Sequence, residues 1–175
     1  MKEYRIGRVA GLELSAQSSV VSSSIALWAV LAALAALILK MPAGTAVLMG
    51  LAALILHWFS ELVHQLGHAV AARRTGHPMI GIRFWGLLGT ALYPDDEPAL
   101  PAEVHIRRAL GGPIASLILS FFAWALMVAT RAGGGPPWWV AVFFLAENAL
   151  VFTLQAFIPL GFNDGATLWY WLRKR

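Results

Sequence analysis

The chain has 175 residues, 59% of them hydrophobic, 13% charged and none cysteine. That is about one domain's length with an apolar share well above that of a soluble domain, the composition of a membrane protein. The lack of cysteine excludes disulfides, thiolate metal sites and a cysteine nucleophile, so any metal must be held by His, Asp or Glu. The net charge of +4 comes from basic residues that flank apolar runs, which signals membrane topology and not a nucleic-acid surface.

Residues 1–24 are polar and mixed, and RIGRVAGLEL reads as a short strand or hairpin near the membrane surface. No cleavable signal peptide is expected, because the first apolar run follows a serine-rich stretch and has no small-residue cleavage site after it. A first span is expected over residues 22–40, around IALWAVLAALAALIL. Pro42 is placed to open a second helix, over 43–75, and Gly76 to stop it. Residues 79–94 carry β-branched and aromatic side chains broken by Gly81, Gly86 and Gly89, the pattern of a hairpin or small sheet. DDEPALPAE is a surface loop. Spans three and four are expected over 109–130 and 137–158, the latter anchored by Trp138 and Trp139 and ended at Pro159.

The fold expected is therefore a single domain, residues 1–175: an all-α polytopic membrane protein of about four transmembrane helices with a small β-hairpin or sheet element. Four spans leave both termini on one side of the bilayer. Of the 13 Lys and Arg residues, only Lys40 and Arg131 fall in the opposite loops. The positive-inside rule then puts both termini and the β element in the cytoplasm of a multi-pass cell-membrane protein.

The second helix carries ELVHQLGHAVAARR from Glu61 to Arg74. His64 and His68 are separated by about 40° on one helical face, one turn apart, so both imidazoles can reach one metal ion. A catalytic zinc takes three protein ligands and a water. Asp164, in NDG after the fourth span, is a candidate third ligand, since both helices run toward the cytoplasm and bring the three residues to similar depth.

HQLGHAVAARRTG resembles the HExGH motif of the site-2 protease family of intramembrane zinc metalloproteases, and GFNDG resembles that family's second motif. RIGRVAGLEL, GGPIAS at Gly111 to Ser116, and the glycine-broken segment from Ile80 to Tyr93 are similar to the strand before the first span, the start of a core helix and the membrane-associated sheet. The resemblance covers nearly the whole chain. It implies one zinc ion per chain held by His64, His68 and Asp164, and cleavage of the transmembrane segments of other membrane proteins. A membrane helix must unwind to be cut, and an exposed strand edge in 80–93 could hold it extended by strand addition. Ile82, Phe84, Asn148 and Gln155 are the candidate substrate contacts. The partners implied are a transmembrane-helix protein and the lipid bilayer, with no nucleic acid.

The sequence departs from the family pattern at two positions. Ala156 stands where many members have asparagine. Gln65 stands where the family has the glutamate that acts as general base. An amide can hold a water but cannot usefully take its proton, and loss of such a base costs about 10²–10⁴ in rate. The expectation is a zinc-loaded site with little or no peptidase activity. Its origin is either an engineered Glu-to-Gln change or a natural pseudoprotease that binds transmembrane helices without cutting them. A metal transporter would need ligands on both sides of the membrane, and one polar cluster is visible.

Plainer readings stand beside these. The two histidines could be buried hydrogen-bonding groups, and Asp164 a helix cap. Glu61, one turn before Gln65, reads as a buried polar partner for a neighbouring helix, with replacement of the missing base as the alternative. His57 lies about 10 Å away along the helix and reads as a satisfied polar group or part of a water path. Gly111, Gly112, Ala115 and Ser116 read as close-packing residues.

Overall fold

The computed structural model describes residues 2–175. The chain begins with a hairpin, β1 (Glu3–Val9) and β2 (Leu12–Gln17). Ala10 and Gly11 turn it with φ of 50° and 84°, the paired positive values of the two-residue turn that suits strand twist. Helix α1 (Ser19–Leu37) follows, then α2 (Ala43–Arg74). A second hairpin, β3 (Gly81–Trp85) and β4 (Leu88–Leu92), turns at Gly86, whose φ is 54°. Helix α3 spans Ala102–Thr130 and α4 Gly135–Ala146. Beyond Ala146 the helix widens into a π segment, Glu147–Thr153, tightens into a 3₁₀ turn, Leu154–Phe157, and ends; α5 is Asp164–Leu172.

Both hairpins join one four-stranded sheet in the order β1-β2-β3-β4. β2 pairs with β3 in parallel, with Leu14 opposite Ile82 and Ala16 opposite Phe84, and the two outer pairings are antiparallel. The sequence suggested two separate β elements. They unite because α1 and α2 form an out-and-back pair that returns the chain to the face it left. Leu12, Ile82 and Phe84 bury themselves against Ala69, Ala72 and Met79 at the end of α2. This buried set locks the sheet to the helix that carries the two histidines.

Four segments are long and apolar enough to cross a membrane: Ser19–Leu37, Ala43–Arg74, Ala102–Thr130 and Gly135–Phe157. Their outer faces expose Leu34, Ile55, Ile114, Phe121 and Phe122 among many others, as lipid-facing helices do. Helix α3 begins at Ala102, seven residues before the apolar run that marks it in sequence, because VHIRR continues the helix as a polar turn outside that run. The fourth span leaves α-helical geometry at Glu147, well before Pro159. There Asn148 Nδ2 donates to the Phe144 carbonyl and Thr153 Oγ1 to the Asn148 carbonyl, side-chain bonds that compete with the regular ladder.

Helices α2 and α3 cross closely. A Cβ on Gly67 would lie 2.4 Å from the Gly111 carbonyl oxygen, and one on Gly111 would lie 2.5 Å from that of Gly67. Glycine at both positions lets the backbones touch and sets the depth at which the two helices' side chains meet.

Candidate metal centre

His64 and His68 lie on the buried face of α2, directly opposite α3. His64 Nε2 and His68 Nε2 are 3.1 Å apart. Asp164 reaches them from the first turn of α5, with Oδ2 3.1 Å from His64 Nε2 and Oδ1 3.3 Å from His68 Nε2. Asp164 is free to do so because the cap of α5 is Asn163. Its Oδ1 accepts from the Ala166 and Leu160 amides, and its Nδ2 donates to the Gln155 and Ile158 carbonyls. The plain reading of Asp164 as a cap thus belongs to its neighbour. Burial opposes ionisation of the Asp164 carboxyl, but His68 and His64 beside it outweigh burial and hold it well below the usual range.

The remote nitrogens fix the ring orientations. His68 Nδ1 sits 2.8 Å from the Arg108 carbonyl oxygen. The Gly112 amide also approaches Nδ1, at the longer distance of 3.2 Å; a carbonyl can only accept, so the shorter contact puts the proton on Nδ1 and leaves Nε2 a lone pair. His64 Nδ1 is 3.0 Å from Ser116 Oγ, which is fully buried. Two imidazole nitrogens and a carboxylate therefore converge, and among the described residues these three form a group able to hold a metal ion. Ligand bonds of ~2.0–2.1 Å at tetrahedral angles put neighbouring donor atoms about 3.3 Å apart. The three observed separations match that figure, and the donor set fits zinc. The second bond made by each ring is the support metal-bound histidines usually have.

The glycines read as packing residues have a further duty. A Cβ on Gly112 would lie 2.4 Å from His68 Nε2 and 2.5 Å from His64 Nε2. Gly112 therefore clears the space in front of both donor atoms. Arg108, Gly112 and Ser116 share one face of α3 at steps of four. That spacing is visible in the sequence, but nothing there says which helix they face.

The site opens into a cavity of about 610 Å³ lined by Glu61, Gln65, Trp85, Gly89, Tyr93 and Phe152, among others. Of the candidate substrate contacts, Gln155 lies on this cavity, and its amide donates to Asp164 Oδ2. The other three lie elsewhere. Ile82 and Phe84 point into the buried set beneath the sheet, since β3 is an interior strand and the free edge near the site is β4. Asn148 is fully buried and donates to Ser60 Oγ, tying the fourth span to α2. His57 is not part of the metal group; its Nδ1 lies 2.6 Å from Glu147 Oε1 and its Nε2 3.1 Å from the Leu87 carbonyl. Gln65 borders the donor set without joining it, and its amide nitrogen donates to Glu61 Oε1 at 2.9 Å and to the Gly89 carbonyl at 3.0 Å.

The rim is held by Arg108. Its guanidinium grips Glu97 through two hydrogen bonds, at 2.9 and 2.5 Å, and donates to the His77 carbonyl. It also lies 4.0 Å from the centre of the Tyr93 ring. Burial pushes the Tyr93 hydroxyl up to about 12 despite the adjacent positive charge, so it stays neutral. The Glu97 carboxyl is held below its ordinary range by Arg108. On the far side His105 stacks on Trp171 at 4.1 Å with the rings parallel, fixing α5 and hence Asp164 against α3.

Four long apolar helices and a donor set of two histidines and one carboxylate make this a candidate metal centre in a membrane-type fold. No family model matches the chain. It is 32% identical over 171 residues to Rip3, named as a zinc metalloprotease, in two strains of Mycobacterium tuberculosis. That match takes in 93% of this chain and 42% of the relative, so the chain spans less than half the length of the relatives it matches. The site-2 protease of Methanocaldococcus jannaschii has the same fold, with a TM-score of 0.66 at 16% identity over 99% of this chain and 73% of the other. The chain therefore has the fold of a site-2 protease and is similar over most of its length to a zinc metalloprotease.

Proposed function

We propose that His64, His68 and Asp164 bind one zinc ion in a membrane-embedded site that receives transmembrane segments of other proteins, and that Gln65 leaves this chain with little or no peptidase activity. The observation that carries the metal reading is the mutual spacing of the three donor atoms, 3.1, 3.1 and 3.3 Å. When bound, zinc would polarise a substrate carbonyl and make a water more acidic. The chain's own residues do the rest. Ser116 and the Arg108 carbonyl keep both rings turned inward, and Gln155 steadies the Asp164 carboxylate. Gln65 can hold a water by its amide but offers no carboxylate to take a proton.

The substrate would lie extended in the cavity beside β4, the strand whose edge borders it. The distribution of basic residues supports a multi-pass arrangement with both termini in the cytoplasm, leaving Lys40 and Arg131 alone on the far side. In that orientation the cavity rim at Glu97 and Arg108 faces the cytoplasm, which supplies a route for water.

A second reading, a pseudoprotease that holds transmembrane helices without cutting them, is favoured by the hydrogen bonds of Gln65. One paired assay on the purified chain and its Gln65→Glu variant tests both readings. Zinc is measured per chain beside cleavage of a transmembrane test substrate in liposomes. About one zinc in each, with cleavage in the variant alone, identifies a protease lacking only its base. Zinc in each and cleavage in neither leaves the pseudoprotease or an unsuitable test substrate, which binding of the same substrate to the native chain separates. A native chain that holds no zinc overturns the metal reading.

A further inference from the structure

Gly89 has both of its peptide groups taken by side chains of α2. Its amide donates to Glu61 Oε1 at 2.7 Å, and its carbonyl accepts from Gln65 Nε2 at 3.0 Å. Glu61 Oε1 also accepts from Gln65 Nε2, at 2.9 Å. The three bonds close a triangle of one carboxylate, one side-chain amide and the two peptide groups that flank the Gly89 Cα.

The geometry follows from the hairpin. Trp85 and Leu88 flank the two-residue turn, and Phe84 faces Gly89 in the next pair along. In an antiparallel ladder alternate pairs do not bond each other, so the Gly89 groups turn outward from β3, toward α2. The absence of a side chain is needed as well: a Cβ at residue 89 would lie 2.5 Å from Glu61 Oε1 and 3.0 Å from Gln65 Nε2.

The triangle assigns chemistry to each position. The group facing the Gly89 amide must accept, and the group facing its carbonyl must donate. A carboxylate at 61 and an amide at 65 meet both demands. A carboxylate at 65 would face the Gly89 carbonyl, another acceptor, and would stand beside the buried Glu61 carboxylate. Glu61 itself is 2% exposed and has no cationic side chain bonded to it among the described residues. A buried carboxylate at membrane depth with amide donors alone is costly unless the bonds are well made.

We infer that Glu61 and Gln65 clamp the amide and the carbonyl of Gly89, with Glu61 as a positioning residue that fixes the β4 edge beside the histidines of α2. The clamp itself stands without the zinc reading; its bearing on catalysis rests on that reading. It occupies the first outward peptide of β4. Ala91, two residues on, turns the same way and becomes the pairing position left for an extended peptide.

The test is amide hydrogen exchange at Gly89 in the full chain, read beside zinc content and melting temperature. In Gln65→Glu, exchange at Gly89 is expected to rise about tenfold or more and the melting temperature to fall. Gln65→Ala, which removes the amide without adding charge, should raise exchange in the same direction. Glu61→Gln is the conservative control, since its carbonyl can still accept from Gly89, and exchange should stay within about threefold of the native chain. Zinc should remain near one per chain in all, because no ligand is altered. Native-like exchange at Gly89 in both Gln65 variants overturns the clamp. So does an acceleration in Glu61→Gln as large as in Gln65→Glu. Absence of zinc from the native chain would sink the metal reading alone and leave the exchange result to decide the clamp.

Discussion

Gly112 shows how one missing methyl group serves a site. The two histidines of the candidate metal group on α2 face a point on α3 where any side chain would sit inside their contact distance, 2.4 Å from His68 Nε2 and 2.5 Å from His64 Nε2. Neither partner can yield, because His64 and His68 are held from behind by Ser116 and the Arg108 carbonyl. Gly112→Ala is therefore expected to lower bound zinc to well below one per chain, roughly as far as His68→Ala does, while α-helical content stays native. Zinc analysis and circular dichroism of the two variants check this. Normal zinc in Gly112→Ala would mean that the donors can shift without loss. Asn163 works in a different way: by taking the cap of α5 it frees the next residue, Asp164, for the histidines.

At the scale of elements, the crossing of α2 and α3 fixes the register between His64 and His68 on one helix and Arg108, Gly112 and Ser116 on the other. The crossing point is Gly67 against Gly111, one helical position from the second histidine. Gly67→Ala forces the backbones apart, and overpacking of this kind costs about 1–3 kcal/mol. The melting temperature should fall by roughly 2–4 °C per kcal/mol for a chain of this size. The same substitution at Gly133, where the nearest atom to a new Cβ is 3.9 Å away, should leave melting nearly unchanged. An equal effect at the two glycines would show that the crossing is not tight.

For the whole molecule, one ion pair ties the sheet, the loop after it and α3 into a single body. Arg108 binds Glu97 and the His77 carbonyl and covers Tyr93, so it closes the chain between β4 and α3 around the cavity rim. Arg108 holds the folded Glu97 carboxyl below its ordinary value. The stability linked to it is therefore full above the unfolded value, about 4.3, and is lost as pH falls through the lower folded value. Thermal melting from pH 7 to 3 should show an acid-side loss that shrinks in Glu97→Gln. If the variant and the native chain lose stability in parallel below about pH 4.5, the pair contributes nothing to the acid response.

Much of this architecture was legible in the sequence, for a definite reason. Hydropathy is a local property that needs no tertiary contact, so the four apolar runs and the turns between them mark the four long apolar helices directly. The i, i+4 spacing of His64 and His68 is a property of one helix and needs no partner. What chain order could not carry was the facing of one element to another. It did not show that β2 would join β3, that Ile82 and Phe84 would point inward while β4 kept the edge, or that Gly112 would face the metal donors instead of a plain helix contact. Gln65 is the clearest case. Compared with a motif, it reads as a glutamate lost; in space, its amide nitrogen also donates to Glu61 and to the Gly89 carbonyl. The sequence alone determined which residues could hold a metal. The tertiary structure decided which of them meet and what residue 65 touches, because hydrogen-bond complementarity depends on the direction each group faces, and direction is set only when the helices and the sheet pack.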